Sequence, residues 1–275
     1  MCQERARNQI LRETMKIIVT VKQVPDTAEV RIDPKTNSLV REGVPSILNP
    51  EDRNAVETAL MLKEKHGGVV MALTMGPPQA EDVLEEVIAM GVDEGILLSD
   101  RAFAGSDTLI TSFILSRAVM KIGKFDLIIC GRQAIDGDTA QVGPQLAGFL
   151  DLPQVTYLED ISIDNESAII KRGLEDCVEK VRVKLPALVT VLSDINQPRY
   201  PSLCNVVNAC DGTLIKRWSE KNLKIPGSML GLQASPTGVK KIFEPDRSAN
   251  GEIIKGDEKQ MAKTLIDKLK ALQVV

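Results

Sequence analysis

Residues 131–145, GRQAIDGDTAQVGPQ, combine residue types that suit phosphate binding. They follow the apolar run FDLIIC (125–130) and lead into a helical pattern, AQVGPQLAGFL. Free N–H groups and the dipole at a helix N-terminus favour an anion. We therefore expect Gly137 to allow close backbone approach, Thr139 to offer a hydroxyl, and the amides of residues 140–142 to face a phosphate. Asp136 and Asp138 would cap the helix or accept hydrogen bonds from ribose hydroxyls.

Three other apolar runs end in comparable turns. These read TVKQVPDT, TMGPPQA and LSDRAFAGSDT, and the last two lead into predicted helix starts. Ligands of open parallel sheets bind outside the carboxyl ends of the strands. The four turns together predict a nucleotide site at that edge, whereas any one alone is compatible with an ordinary strand-to-helix connection.

The chain offers few residues for side-chain chemistry. It has one histidine, His66, so a Ser-His-Asp triad or a histidine-ligated metal cluster is not expected, and a cofactor is predicted to carry any reaction. Its five cysteines form no C-x-x-C pair and are typical of reduced thiols in a cytoplasmic protein. They are Cys2, Cys130, Cys177, Cys204 and Cys210.

Composition narrows the class of protein. The 275 residues are 43% hydrophobic with a net charge of -4, which allows one large α/β domain and an additional arm. The mild acidity and low aromatic content argue against nucleic-acid binding. No apolar run approaches the roughly 20 residues of a membrane span. The first residues lack the apolar core of a secretory signal.

Apolar runs alternate with helical patterns over the first half of the chain. Three helices are predicted. The first runs from its N-cap Asn49 to Gly67, the second lies within 77–91 and ends at Gly91, and the third follows Ser106 or Asp107 as its cap. This rhythm predicts a doubly wound, mostly parallel sheet covered by helices on both faces. The buried strands are expected at 16–21, 69–75, 95–99 and 125–130.

The remaining segments give weaker patterns. Residues 31–43 predict a hairpin turned around Asp33-Pro34. Strands are expected at 168–174, 180–186 and 187–192, and an amphipathic helix at 259–273. We predict an N-terminal extension at 1–14, a nucleotide-binding α/β domain at 15–192 and an extended arm at 193–275.

Two common nucleotide motifs are missing. There is no G-x-x-x-x-G-K-[ST] and no G-x-G-x-x-G after the first strand. An ATP-using adenylating enzyme would need a Ser-Gly-Gly-x-Asp-Ser loop where this chain has KQVPDT. A self-dimerising stress-type module would need a late glycine-spaced phosphate motif, which is not found. Composition and spacing alone predict a nucleotide-binding α/β protein and do not identify its ligand or its reaction.

Specific motifs resemble a known family over about residues 15–210. They are VKQVPD, LNPEDRNAVETAL, TMGPPQA, AMGVDEGILLSDRAFAGSDT, GRQAIDGDTAQVGPQLAGFL, VKLPALVTV and INQPRYPSL. In this order they are similar to the β subunit of electron transfer flavoprotein. The resemblance implies an adenine nucleotide α-hydrolase-like (Rossmann-like) fold. It also implies pairing with an α subunit that carries FAD and exchanges electrons with a dehydrogenase.

Two branches of that family differ in the ligand of the β subunit. DRAFAGSDT and GRQAIDGDTAQVGP resemble the electron-bifurcating branch. This implies an FAD that takes hydride from NADH and splits the electrons between ferredoxin or flavodoxin and the α-subunit FAD feeding a dehydrogenase. The alternative is the non-bifurcating branch, whose β subunit holds a structural AMP. In either branch the resemblance implies no catalytic side chain and no metal.

The resemblance also implies a set of cofactor-binding positions. Arg132 is a candidate to lie near the flavin ring or the diphosphate. Residues 106–108 would serve the longer dinucleotide, and Met75 and Gly76 would flank adenine. The full set is Thr20, Val21, Lys22, Asn49, Asp52, Met75, Gly76, Ser106, Asp107, Thr108, Gly131, Arg132, Gln133, Ala134, Asp136, Gly137, Asp138, Thr139, Ala140, Gln141 and Val142.

A recognition loop for the dehydrogenase is implied at NQPRYPSLCN. Leu203 matches the family's apolar docking residue, and plain packing is the alternative. The lysine-rich stretch that usually follows is replaced here by VVNACDGTLIKRW. This departure leaves the dehydrogenase open between an acyl-CoA and a 2-hydroxyacid type. The arm after residue 193 is expected to wrap the α subunit.

Overall fold

The computed structural model describes residues 14–26, 31–32, 39–40, 45–240 and 251–274. The chain divides into two compact units, Met1–Lys240 and Lys241–Val275. The first contains the sheet and the residues that are predicted to bind a nucleotide. The described part of the second contains one helix.

A nine-stranded sheet runs through the first unit. Its strands are β1 (Met15–Thr20), β6 (Gly68–Met75), β7 (Glu94–Leu98), β8 (Leu127–Gly131), β9 (Gln154–Asp164), β10 (Ser167–Gly173), β11 (Val178–Lys184), β12 (Ala187–Val191) and β13 (Ile215–Trp218). They lie in the order β11-β10-β9-β12-β8-β1-β6-β7-β13. Seven neighbouring strands, from β9 to β13 across the sheet, are parallel, and β10 and β11 add antiparallel pairs beside β9.

Helices cover both faces of this sheet. They include α1 (Pro50–His66), α2 (Glu81–Met90), α3 (Thr108–Ile122) and α4 (Val142–Leu150). Alternate residues of β1 point to opposite cores: Ile17 lies in one buried cluster with α1 and α2, and Ile18 lies in the other with α3 and α4. Strands buried on both faces read as continuous apolar runs. The predicted doubly wound α/β fold is confirmed.

Helix α1 follows its sequence signals closely. Pro50 occupies the first helical position, acids fill the first turn, and Gly67 ends the helix with φ 72°. That positive φ suits glycine, which lacks the steric penalty of a Cβ atom. These signals fix the first and last residues of α1. Its length is important because residues near both of its ends contact other segments of the chain.

Two small antiparallel pairs lie between β1 and α1. Strand β2 (Gln23–Pro25) pairs with β5 (Ser46–Leu48). Strand β3 (Arg31–Ile32) pairs with β4 (Leu39–Val40), as expected for the predicted hairpin. The turn proposed at Asp33-Pro34 lies outside the described residues.

Two strands of the sheet were not predicted. In β9, Tyr157 has φ 61° and the register shifts opposite Lys171 and Arg172, so the regular alternation is interrupted. Strand β13 has four residues, which is too short for a periodic signal. Because β13 completes one edge, the sheet includes residues beyond 192. The domain boundary at 192 stays a prediction.

The later helices are mostly short. They are α5 (Leu203–Ala209), α6 (Glu220–Leu223), α7 (Gly231–Ala234) and α8 (Glu258–Ala271). Helix α8 confirms the predicted amphipathic helix. In the described part of the chain, no helix is long and apolar enough to cross a membrane. The described cysteines are free thiols, and only Cys130 among them is buried.

Candidate nucleotide site

The strand order reverses between β1 and β8. From β1 the chain builds β6 and β7 on one side, and then places β8 and β12 on the other. Thr20 pairs with Cys130, so the ends of the two central strands lie side by side. Such a switch point opens a crevice at the carboxyl edge of a parallel sheet. The predicted residues at the ends of β1 and β8 are thus brought together.

Asp52 ties these two strand ends to the first turn of α1. Its Oδ2 accepts from the Lys22 amide at 2.8 Å, and its Oδ1 accepts from the Gly131 amide at 3.2 Å. Burial raises the pKa of Asp52 to about 7, and the two amides partly oppose that rise by stabilising the charged form. Asp52 therefore organises the crevice through the backbone around it.

Asn49 and Glu51 hold the loop after β8. Asn49 Nδ2 donates to the Gln133 carbonyl at 2.9 Å, and its Oδ1 accepts from the Ile135 amide at 3.1 Å. Glu51 accepts from the Gln133 amide at 2.9 Å and pairs with Arg132 Nη2 at 2.9 Å. Asn49 is the N-cap residue of α1, as predicted, but its side chain makes no cap bond. Its amide group bonds to the loop instead.

Both loop aspartates are engaged by donors of the protein. Lys22 Nζ reaches the Asp136 carboxylate at 2.7 and 2.8 Å, and Gln133 Nε2 donates to Asp138 at 3.0 Å. The helix-cap role considered for these acids is wrong, because α4 has no side-chain cap bond. Their charges are partly neutralised or hydrogen-bonded, which reduces the repulsion that an anion would meet at this loop.

The segment before α4 adopts an unusual backbone. Asp138 and Ala140 have φ of 46° and 53°, and Gln141 is right-handed with φ -101° and ψ -29°. A left-handed residue beside a right-handed one aims successive N–H groups into a concavity that suits an anion. The amides of residues 140–142 donate to no acceptor among the described residues. The helix begins at Val142, two residues later than predicted, because Ala140 is left-handed.

The rest of the loop supports this concavity. The Ala134 carbonyl accepts from the amides of Gly137 and Asp138 at 3.2 and 2.9 Å, which closes a tight turn. Gly137 and Thr139 are exposed on it. Arg132 Nε is buried and has no hydrogen-bond partner among the described residues. Buried polar groups are normally paired, so this atom has capacity for one more acceptor.

The start of α3 lies beside the start of α4. Thr108 Oγ1 donates to Gln141 Oε1 at 2.9 Å. Asp107 caps α3 by accepting from the Ile110 amide, and it also accepts from both the amide and hydroxyl of Thr237. The Ser106 hydroxyl donates to the Phe103 carbonyl at 2.7 Å. Thr108 is therefore nearest to the loop, while Asp107 and Ser106 fix the turn.

The remaining predicted positions lie on the neighbouring strand ends. The Val21 amide donates to the Leu73 carbonyl at 2.9 Å, and the Gly76 amide donates to the Leu98 carbonyl at 3.0 Å. Met75 is partly exposed at the end of β6. These strand-end residues border the carboxyl edge, and an adenine site there stays a prediction.

Glu51 is the clearest residue missing from the predicted set. Its sequence position, directly after Pro50, suggested only a favourable charge at a helix N-terminus. In the structure it is buried and holds two consecutive loop residues. Asn49 and Asp52, on either side of it, were predicted to bind the cofactor, and this proximity was a weak sequence signal for Glu51.

Two clefts lie away from this edge. One of about 450 Å³ lies beside Arg199 and α5, and another of about 440 Å³ includes Lys121 and Trp218. Neither includes a residue of the predicted nucleotide set. The site at the strand ends is defined by loop geometry and by donors without partners.

Comparison with known proteins identifies the family of this chain. Residues 36–216 match the family described as "Electron transfer flavoprotein domain". The chain belongs to the electron transfer flavoprotein family, in its β-subunit branch. It is 49% identical over 261 residues to "Electron transfer flavoprotein subunit beta" of Thermoanaerobacterium thermosaccharolyticum, covering 95% of this chain and 100% of that protein.

Two further relatives of this family have names that describe complexes. The chain is 48% identical to "Caffeyl-CoA reductase-Etf complex subunit CarD" of Acetobacterium woodii. It is 44% identical to "Acryloyl-CoA reductase electron transfer subunit gamma" of Anaerotignum propionicum. Each match covers 95% of this chain and 100% of the relative. The family resemblance found from sequence motifs is thereby confirmed.

Proposed function

We propose that this β subunit binds FAD at the carboxyl edge of its sheet and pairs with an α subunit. FAD bound there would accept hydride from NADH and split the electrons between ferredoxin or flavodoxin and the α-subunit FAD, which serves a dehydrogenase. The chain would thus be the electron-transfer subunit of an NADH-dependent bifurcating oxidoreductase complex. The concavity formed by residues 140–142 is the observation that carries the proposal.

The donor set supports a phosphate ligand. Three consecutive amides at the start of α4 have no partner in the part of the chain that the structure describes, and the helix dipole adds partial positive charge there. The unpaired Nε of Arg132 adds a cationic donor. Acidic side chains in the same region all accept from donors of the protein itself; they are Glu51, Asp52, Asp136 and Asp138. The residues present therefore fit the group.

The neighbouring helix start favours a diphosphate over a monophosphate. The 2.9 Å bond between Thr108 and Gln141 places the N-terminus of α3 beside that of α4. The Asp107 carboxylate already caps α3, but the Thr108 hydroxyl at this start extends the polar lining of the site beyond one phosphate. FAD contains a diphosphate and AMP does not, so this adjacency supports FAD. AMP as a structural ligand is the alternative.

A dehydrogenase would dock on α5. Leu203 is 82% exposed, and Val206 and Val207 are also exposed at helical spacing on the same face. Exposure of this kind disfavours the plain-packing role for Leu203. We infer that the partner is a flavin-dependent dehydrogenase of the acyl-CoA or 2-hydroxyacid type. The relatives named for caffeyl-CoA and acryloyl-CoA reductase complexes support the acyl-CoA type.

The α subunit would cover the second unit. None of the residues of α8 is buried, and Leu265, Ile266 and Leu272 are exposed. An amphipathic helix of this kind gains stability when its apolar face is covered. This supports the proposed arm from residue 193 onward, whose last helix would pack on the partner chain.

The cofactor content of the purified αβ heterodimer tests the proposal. After denaturation, chromatography should give two FAD per heterodimer and no AMP. One FAD and one AMP would contradict the FAD assignment for this chain and would leave the fold and pairing intact. If two FAD are found, NADH-dependent reduction of ferredoxin is the next assay, with heterodimer stripped of cofactor as the control.

A further inference from the structure

Arg199 forms the densest set of side-chain contacts near the docking helix. Its Nε and Nη2 donate to the two carboxylate oxygens of Glu57 at 2.8 and 2.9 Å, and its amide donates to the same residue at 3.1 Å. Nη1 reaches Glu64 at 2.5 Å. Glu57 is buried, so its bonds are shielded from water. A forked, charge-assisted pair of this kind fixes direction as well as distance.

Asn196 joins the same segment to the same helix. Its Nδ2 donates to Thr58 Oγ1 at 2.8 Å and to the Asn54 carbonyl at 3.1 Å, while Asn54 Nδ2 donates back to the Asn196 carbonyl at 2.9 Å. On α1, positions 54, 57, 58 and 64 share one face. Segment 196–199 is thus attached to that face through side chains at both of its ends.

Segment 196–199 and the two residues after it have no regular secondary structure to hold them in place. Residues 196–201 belong to no helix or strand, and Pro198 and Pro201 lack amide donors. Helix α5 begins at Leu203, four residues after Arg199, and Ser202 is its N-cap. With seven residues, it is shorter than a helix that is stable alone in water. Its position must come from its attachments, and Arg199 is the strongest of these on the N-terminal side.

We propose that Arg199 is a positioning residue for the dehydrogenase: by its fork to Glu57 and Glu64 it holds α5, and so Leu203, in the orientation that docks. This inference rests on the proposed docking function. It adds that the docking surface is pre-ordered by α1 before any partner binds. Pre-ordering lowers the entropy lost on association and thereby raises affinity.

The variant Arg199→Lys tests this in the intact heterodimer. Lysine keeps the charge but cannot form the fork to Glu57 or reach both acids at once. Amide hydrogen exchange in residues 203–209 should become about tenfold faster. With an acyl-CoA dehydrogenase as electron donor, its KM for the heterodimer should rise about fivefold, while kcat and bound nucleotide stay unchanged. Arg182→Lys, which alters an exposed pair with Asp164, is the matched control.

A second variant separates this inference from the docking proposal. Leu203→Ala should raise the same KM without changing hydrogen exchange in α5, because Leu203 is exposed and does not anchor the helix. If Leu203→Ala raises KM and Arg199→Lys behaves like Arg182→Lys, Arg199 has no positioning role. If Arg199→Lys speeds exchange but neither variant changes KM, docking at α5 is wrong and the inference falls with it. A loss of bound nucleotide or of kcat in Arg199→Lys would show a general structural defect and would also overturn it.

Discussion

The Gly131 amide donates a 3.2 Å hydrogen bond to the Asp52 carboxylate, and the two residues are so close that position 131 has no room for a side chain. A Cβ atom at position 131 would lie 2.3 Å from Asp52 Oδ1 and 2.9 Å from the Asp52 and Glu51 backbone. Backbone on two elements would have to move to admit it. The contact links the end of β8 to the start of α1 at the switch point, so close packing there is a condition for the crevice.

Substitution of Gly131 by alanine should therefore destabilise the fold. We expect a loss of about 3 kcal/mol in the free energy of unfolding, since the clash involves backbone atoms. Urea denaturation followed by circular dichroism measures it. Gly137→Ala is the matched control, because no atom lies within 4 Å of its added Cβ. Equal stability of the two variants would contradict the proposed packing.

Asp52 should make stability depend on pH. Its pKa is raised from 3.8 to about 7, so the folded state retains a proton that the unfolded state releases. The proton's contribution is fully present below pH 4 and is lost as pH rises through 7, on the order of 4 kcal/mol in all. Asp52→Asn removes this titration, so its free energy of unfolding should fall less than the wild type's from pH 4 to pH 8.

Urea denaturation at several pH values provides the measurement. At pH 4 the protonated carboxyl of Asp52 and the amide of asparagine are both neutral and each has one good acceptor oxygen, so the two proteins should have similar stability. Towards pH 8 the wild type should become the less stable of the two, because its carboxyl then ionises in a buried position. Asp164→Asn, at an exposed pair with Arg182, serves as control. A stability difference between wild type and Asp52→Asn that stays constant from pH 4 to pH 8 would refute the raised pKa.

The amide of Ala140 should contribute directly to phosphate affinity. Ala140→Pro removes this donor and forces φ to about -65°, whereas Ala140 has φ 53°. We expect cofactor affinity to fall by about ten- to a hundredfold, as for loss of a hydrogen bond to a charged group. Calorimetric titration of stripped heterodimer with FAD or AMP measures the change. Ala140→Gly keeps the amide and should bind as tightly as the wild type.

Cys130 should resist thiol reagents in the folded protein. Burial raises its pKa to about 12, so almost no thiolate exists at pH 8. Cys177, Cys204 and Cys210 are exposed and should react quickly with a disulfide reagent. Peptide mass spectrometry after labelling, with and without denaturant, assigns the sites. Rapid labelling of Cys130 without denaturant would show that the end of β8 is open to solvent.

The fold was predictable where a local pattern and the tertiary structure agree. Strands β1, β6, β7 and β8 are buried on both faces and read as apolar runs, and α1 carries both of its boundary signals. Strand β9 escaped prediction because Tyr157 interrupts its alternation, and β13 because it is short. Regular periodicity was the usable signal, and irregular strands do not supply it.

Prediction of the site succeeded for location but not for roles. The four strand-end turns identified the carboxyl edge, because chain direction alone places them there. Which groups remain available to a ligand depends on pairing between distant segments. Asn49 and Glu51 lie more than 80 residues from the loop they hold, and nothing in the local sequence marks those bonds. The left-handed conformation of Ala140 could not be predicted either, because alanine rarely adopts it.

Helix α1 holds the nucleotide loop at its first turn and the docking segment farther along, through Glu57 and Glu64. From Glu51 to Glu64 it advances about 20 Å at 1.5 Å per residue. One inserted residue would turn everything beyond it by about 100°, and loss of a turn would shorten the helix by about 5.4 Å. The helix therefore sets the distance between the proposed cofactor site and the proposed docking segment. Across the family, insertions and deletions should therefore accumulate in the surface loops and avoid the middle of this helix.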